Sequence, residues 1–116
     1  MAAPQFEPPT PETPRTGVLV AMRPQGPILS PFFSGSDGLV VFPSEDRFDT
    51  YRALPGRTER EICDLIAQSG VARLVCGFIG APERRLLRAR GVDVRVGSCV
   101  ESVAALVARF ESLPSA

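Results

Sequence analysis

Between Thr58 and Phe110 the chain alternates helix signals with short apolar runs, and this alternation most narrows what it can fold into. Thr58 with Glu61 three residues on has the form of a capping box. Ile62, Leu65 and Ile66 then make a stripe at helical spacing, and Gly70 suits the position just past a helix end. Leu74-Val75-Cys76 is an apolar run of strand length. Pro82 fits a first helical turn, which predicts a short helix over Glu83 to Arg90 stopped by Gly91. Val92, Val94 and Val96 alternate as a strand. Val103, Leu106, Val107 and Phe110 fall on one face of a last helix over 100–112. Strands joined through helices run parallel, with right-handed crossovers.

The first half adds strands without helices. Gly17 to Met22 is a continuous apolar run that suits a strand buried on both faces. Arg23 to Gly38 carries six Pro and Gly breakers and reads as a loop. Leu39 to Phe42 reads as a second strand, Pro43 to Asp46 as a turn, and Arg47 to Ala53 as a third strand in a hairpin with the second. The order β-β-β-α-β-α-β-α predicts a mixed α/β fold. It is a ribonuclease-H-like five-stranded sheet with helices on both faces. Residues 1–16 hold five of the 12 prolines and are expected to form a disordered arm. Residues 17–116 then make one α/β domain.

Composition removes whole classes of chemistry. The chain has no His and no Lys, and all 13 basic residues are Arg. Histidine acid–base catalysis, lysine Schiff bases, phosphate-loop lysines and His metal ligands are therefore excluded. A Ser or Cys nucleophile would lack a His base. Two-metal hydrolysis needs carboxylates on the first strand, and Val18 to Met22 has none. The net charge is zero, so no global field draws nucleic acid or an anionic membrane, and neither is expected as a partner. No run of 18 apolar residues exists. Three cysteines without a secretory leader read as reduced thiols in the cytoplasm.

Binding chemistry remains open at one end of the sheet. Ligands of such sheets sit outside the carboxyl ends of the parallel strands, here Met22, Gly77 and Gly97 with the loops that follow. The loop Cys76-Gly77-Phe78-Ile79-Gly80 leads from a strand into a helix start, where free N–H groups favour an anion; an ordinary strand-to-helix turn has the same spacing. Cys76 and Cys99 end neighbouring strands and are expected either to share one metal site or to be small buried apolar groups. Cys63 lies beside the apolar stripe of the first helix and reads as core. No CxxC spacing exists, which disfavours a closed zinc site. Arg84 and Arg85 stand in a helix's first turn, where cations oppose the dipole, and are candidates to balance an anion.

From Gly70 to Phe110 the sequence resembles the dinitrogenase iron–molybdenum cofactor-binding family, of the NifX and NafY type. The resemblance is carried by Ala72-Arg73-Leu74-Val75-Cys76-Gly77-Phe78-Ile79-Gly80, by Leu86 to Val94, and by the glycine turn and helix from Gly97 to Leu106. Leu29-Ser30-Pro31-Phe32-Phe33-Ser34 looks like the family's loop after the first strand. Phe32 stands where that loop often has His.

The resemblance implies a ribonuclease-H-like fold and a protein that binds, carries or stores an iron–molybdenum cofactor, a related iron–sulfur cluster or a precursor, without turnover. Its partners would be nitrogenase assembly proteins. The implied binding set is Ser30, Phe32, Cys76, Gly77, Phe78, Ile79, Gly80, Arg84, Arg85, Gly97 and Ser98, with Cys76 and Cys99 as metal ligands in place of the missing His. The alternative is a module of the same descent that has lost the cofactor and binds a protein partner.

Overall fold

A computed structural model describes residues 14–43 and 50–116. Most of the expected arm, residues 1–13, lies outside them. So do Ser44 to Asp46 of the expected turn and Arg47 to Asp49 of the expected third strand. Thr16, assigned above to the arm, is buried and opens the first strand.

The elements are β1 (Thr16–Arg23), β2 (Gly26–Leu29), β3 (Gly38–Phe42), β4 (Thr50–Ala53), α1 (Glu59–Gln68), β5 (Arg73–Cys76), α2 (Ala81–Ala89), β6 (Asp93–Val96) and α3 (Val103–Ala108). A 3-10 turn, Phe110–Ser112, follows α3. The sheet runs β4-β3-β1-β5-β6, with β2 also paired to β1. The β1–β3 and β3–β4 pairs are antiparallel, and the β1–β5 and β5–β6 pairs are parallel. This is the expected mixed α/β architecture with one strand more than the five anticipated.

The extra strand is β2, which lies inside the segment read as a loop. It pairs antiparallel with β1 from Val20↔Leu29 to Arg23↔Gly26. Pro27 hid it, because proline cannot donate to a ladder. Its partner Met22 turns its N–H away from β2 and donates it to the Asp37 carboxylate, 2.8 Å. Met22–Pro27 is thus a non-hydrogen-bonded pair, and the missing donor falls outside the ladder.

Both faces of the sheet are covered. Leu19, Leu39, Val41, Leu74 and Val94 pack with Ile62 and Ile66 of α1 and Leu87 of α2. Val18, Val20, Val40 and Val75 on the other face pack with Leu106 and Val107 of α3 and with Phe110. Alternate residues of β1 serve the two cores, which explains its unbroken apolar run. The capping box forms as the sequence predicts: Thr58 accepts from the Glu61 N–H, and the Glu61 carboxylate accepts from the Thr58 N–H. The last helix begins later than expected, because Ser102 caps it. It is also shorter, giving way to the 3-10 turn. Among the described residues no helix is long and apolar enough to cross a membrane.

Candidate functional site

Two strands share one edge of β1, and the site follows from that. β5 pairs with β1 over Thr16 to Val18, and β2 takes the same edge from Val20 onward. Beyond Cys76 the β5 chain has no free edge to follow and must leave the sheet. It passes against the segment that follows β2. Phe78 donates its N–H to the Pro31 carbonyl, and Phe33 donates to the Phe78 carbonyl, both at 2.8 Å. Phe32 and Phe78 make an isolated parallel bridge.

Gly77 is required at this crossing. A Cβ there would stand 2.4 Å from the Pro31 carbonyl oxygen and 2.5 Å from that of Ser30. The glycine thus admits the protein's own backbone, not a ligand, which corrects its expected part in an anion cradle. Ile79 is also withdrawn, packed into the core beneath α1 and α2. Gly97 donates its N–H to the Cys76 carbonyl, 3.1 Å. Its missing side chain leaves room for Leu106, Val75 and Leu29. That too is packing rather than an opening.

What faces outward is aromatic. Phe32 is 56% exposed and Phe78 69% exposed. Their rings meet edge to face with centroids 6.5 Å apart. Beneath them Ser30 and Ser36 are buried, and both hydroxyls donate to the Phe32 carbonyl, at 2.9 and 3.1 Å. Ser30 is therefore a brace for the loop and does not face a ligand. Ser98 and Cys99 lie exposed just past Gly97, with Val100 beside them.

The cysteines separate. Cys76 is fully buried on the α1 and α2 face, and its Sγ lies 3.8 Å from the Arg95 carbonyl oxygen. Desolvation pushes its thiol up to about 12. The expectation that Cys76 supplies a thiolate ligand is corrected: its environment holds the proton on. Cys63 is core as expected, its thiol pushed up to about 11 by burial and then by neighbouring Glu83. Cys99 alone offers an accessible thiol. Among the described residues no group of three or more Cys, Asp or Glu is arranged to hold a metal ion.

At the start of α2, Gly80 is the N-cap and supplies no capping side chain. Pro82 has no N–H to present. Glu83, which the sequence reading left aside, folds its carboxylate back over Gly80, where a Cβ would meet Oε1 at 2.6 Å. An acid at the third helical position opposite a capless glycine was the available signal. The protein's own negative charge therefore already sits at this helix end. Arg84 and Arg85 have no side-chain partner among the described residues. Arg73 pairs with Glu111, Arg90 with Asp64, Arg95 with Asp93 and Arg109 with Glu101, and Arg88 donates to the Ala116 carbonyl.

No protein-family model and no curated relative matches the chain. Among solved structures it is similar to the apo form of the orange protein from Desulfovibrio gigas. The TM-score is 0.73 at 22% identity, covering 88% of this chain and 92% of that one. It is also similar to PH0822, with a TM-score of 0.71 at 16% identity, covering 87% and 93%. At these identities the likeness establishes the fold.

Proposed function

We propose that the domain binds and carries a preformed anionic metal–sulfur cluster at the carboxyl end of its sheet, without turnover. The iron–molybdenum cofactor, a related iron–sulfur cluster or a precursor is the specific cargo favoured by the resemblance in residues 70–110. Nitrogenase assembly proteins are then the partners. The carrying observation is that three loops meet at one end of the sheet. Loops 30–33 and 77–80 are joined by backbone bonds and carry the exposed rings and a helix start, and loop 97–100 begins at Gly97, bonded to the Cys76 carbonyl, and carries the accessible thiol of Cys99. The shared fold adds support: the orange protein bears the name of a colour and was solved in an apo form.

The donor set narrows the cargo. One exposed thiol cannot satisfy a bare ion, which needs several ligands. A cluster that brings its own sulfides and thiolates needs only an apolar rim, a few N–H donors and cationic balance. Phe32 and Phe78 supply the rim, the Gly80–Ala81 backbone the donors, and Arg84 with Arg85 the charge.

Anaerobic titration with isolated cofactor and with a thiolate-capped iron–sulfur cluster tests the reading, followed by gel filtration, absorbance and metal analysis. Wild type is expected to retain cluster metal in step with protein and to retain no free ferrous ion. Cys99→Ala should weaken retention, whereas Cys76→Ala should leave it intact. Failure of wild type to retain either cluster overturns the proposal.

A further inference from the structure

Loops 30–33 and 77–80 form a platform, not a cleft. Backbone bonds from Phe78 to Pro31 and from Phe33 to Phe78 close the two loops on each other. Gly77 lies so near the Ser30 and Pro31 carbonyls that not even a methyl group fits between them. Phe33 and Ile79, next in sequence to the two rings, are buried in the core. The space beside Gly97 is taken by Leu106, Val75 and Leu29. A cargo therefore cannot sink between these loops. It rests on the Phe32 and Phe78 rings, which project from the closed frame and meet edge to face.

A platform touches one side of what it holds. Small-ligand sites bury most of the ligand, about 70–90% of its surface. Both rings stay more than half exposed, so no other described residue overhangs them. A cluster seated there keeps its far side in water until a second apolar surface covers it. A second copy of the chain carries the same rim, and that rim suits both sides of a cluster whose outer sulfides repeat from face to face.

Area decides what the rings do alone. An aromatic side chain offers about 150–250 Å² in all, so the exposed fractions of the two rings present roughly 250 Å². A stable protein pair buries about 800 Å² on each side. Ring pairs set directly against each other fall short by about a factor of three, so cargo-free chains stay apart. A cluster between them adds contact to both. The zero net charge puts no general repulsion in the way.

We propose that two copies of this chain clasp one cluster across a two-fold axis, each giving its Phe32–Phe78 pair to one side of the cargo. The pairing is isologous, so assembly stops at two chains. The inference rests on the carrier reading and adds to it the number of chains that hold one cargo.

Anaerobic sedimentation velocity on the full chain tests it, before and after loading with a thiolate-capped iron–sulfur cluster, with iron and protein assayed in the same fractions. The cargo-free chain should sediment as a monomer. The loaded chain should sediment at twice that mass and carry one cluster per two chains. When tagged and untagged copies are mixed, the tag should retain untagged chain only after loading. Phe32→Ser with Phe78→Ser should weaken the loaded pair by about tenfold or more on dilution, with its thermal melt checked against wild type.

A loaded monomer with one cluster per chain overturns the inference and leaves the carrier reading standing. A dimer that forms equally without cargo also overturns it, as does a loaded dimer that the ring variant does not weaken. A chain that retains no cluster in either form brings down both readings together.

Discussion

Replacing Gly77 by alanine probes the crossing on which both fold and site depend. The new Cβ would lie 2.4 Å from the Pro31 carbonyl oxygen and 2.5 Å from that of Ser30. Both are backbone atoms, so no change of rotamer relieves the clash. The two segments must part by on the order of 1 Å to regain contact distance. Overpacking of this kind costs about 1–3 kcal/mol. The same movement stretches the Phe78-to-Pro31 and Phe33-to-Phe78 bonds, each worth roughly 0.5–1.5 kcal/mol. With one bond lost the total is ~3 kcal/mol, a fall in Tm of roughly 12–24 °C for a domain of this size. Gly80→Ala is the control. Its Cβ meets the end of the flexible Glu83 side chain, which can swing aside, so the cost should stay below about 1 kcal/mol. Scanning calorimetry on both variants decides the matter. Melting of Gly77→Ala within about 3 °C of Gly80→Ala would refute the tight crossing.

A thiol reagent at neutral pH should titrate Cys99 alone in the folded chain and all three cysteines after denaturation; two rapid equivalents in the folded state would contradict the burial of Cys63 and Cys76. Those two thiols keep their protons to about 11 and 12, whereas unfolded thiols release theirs near 9.0. The folded state thus binds more protons above that point, so stability is intact below pH 9 and falls as pH rises, by up to about 1.4 kcal/mol per pH unit per thiol. Urea midpoints from pH 8 to 11 should show this slope, and Cys76→Ala should flatten it. Arg95→Lys should speed hydrogen exchange at the Val96 and Ala116 amides. Lysine cannot replace a fork that holds Asp93 and donates to the Phe110, Glu111 and Leu113 carbonyls together, and unchanged exchange would count against the clamp. Glu83→Gln should tighten binding of an anionic cluster about two- to fivefold at low ionic strength, by removing a competing charge from the start of α2; equal affinity in the titration would show that this helix end takes no part.

The second half of the chain was legible because its signals are local. The Thr58–Glu61 box, Pro82, and the glycines at 70 and 91 each act within one or two turns, and the helices form between them. The strand β2 was not legible, since a proline is tolerated there only through a pairing with Met22 that closes across the hairpin. The site residues divided by the same rule. Cys99 and the Phe32–Phe78 pair are exposed, as a ligand surface requires. The fate of Cys76 was set by sheet alternation, which turns Leu74 and Cys76 to one face and Val75 to the other. Its position at a strand end said nothing of that. Glu83 was passed over because the helix was expected to open at it, whereas the helix opens at Ala81 and puts Glu83 at the third position, over Gly80.

The shared edge of β1 also explains why the surface is aromatic. A parallel strand that kept pairing beyond Cys76 would bury its following residues in the sheet. Because β2 holds that edge, the chain leaves at Gly77, and Phe78 emerges outside both cores. The return segment meets it there, and one backbone bridge puts Phe32 beside Phe78. The exposed pair is therefore a consequence of topology plus one glycine. A surface built this way is available to a cargo or a partner without ordering on contact. Binding there should then show small structural change and an affinity governed by the rings rather than by loop closure.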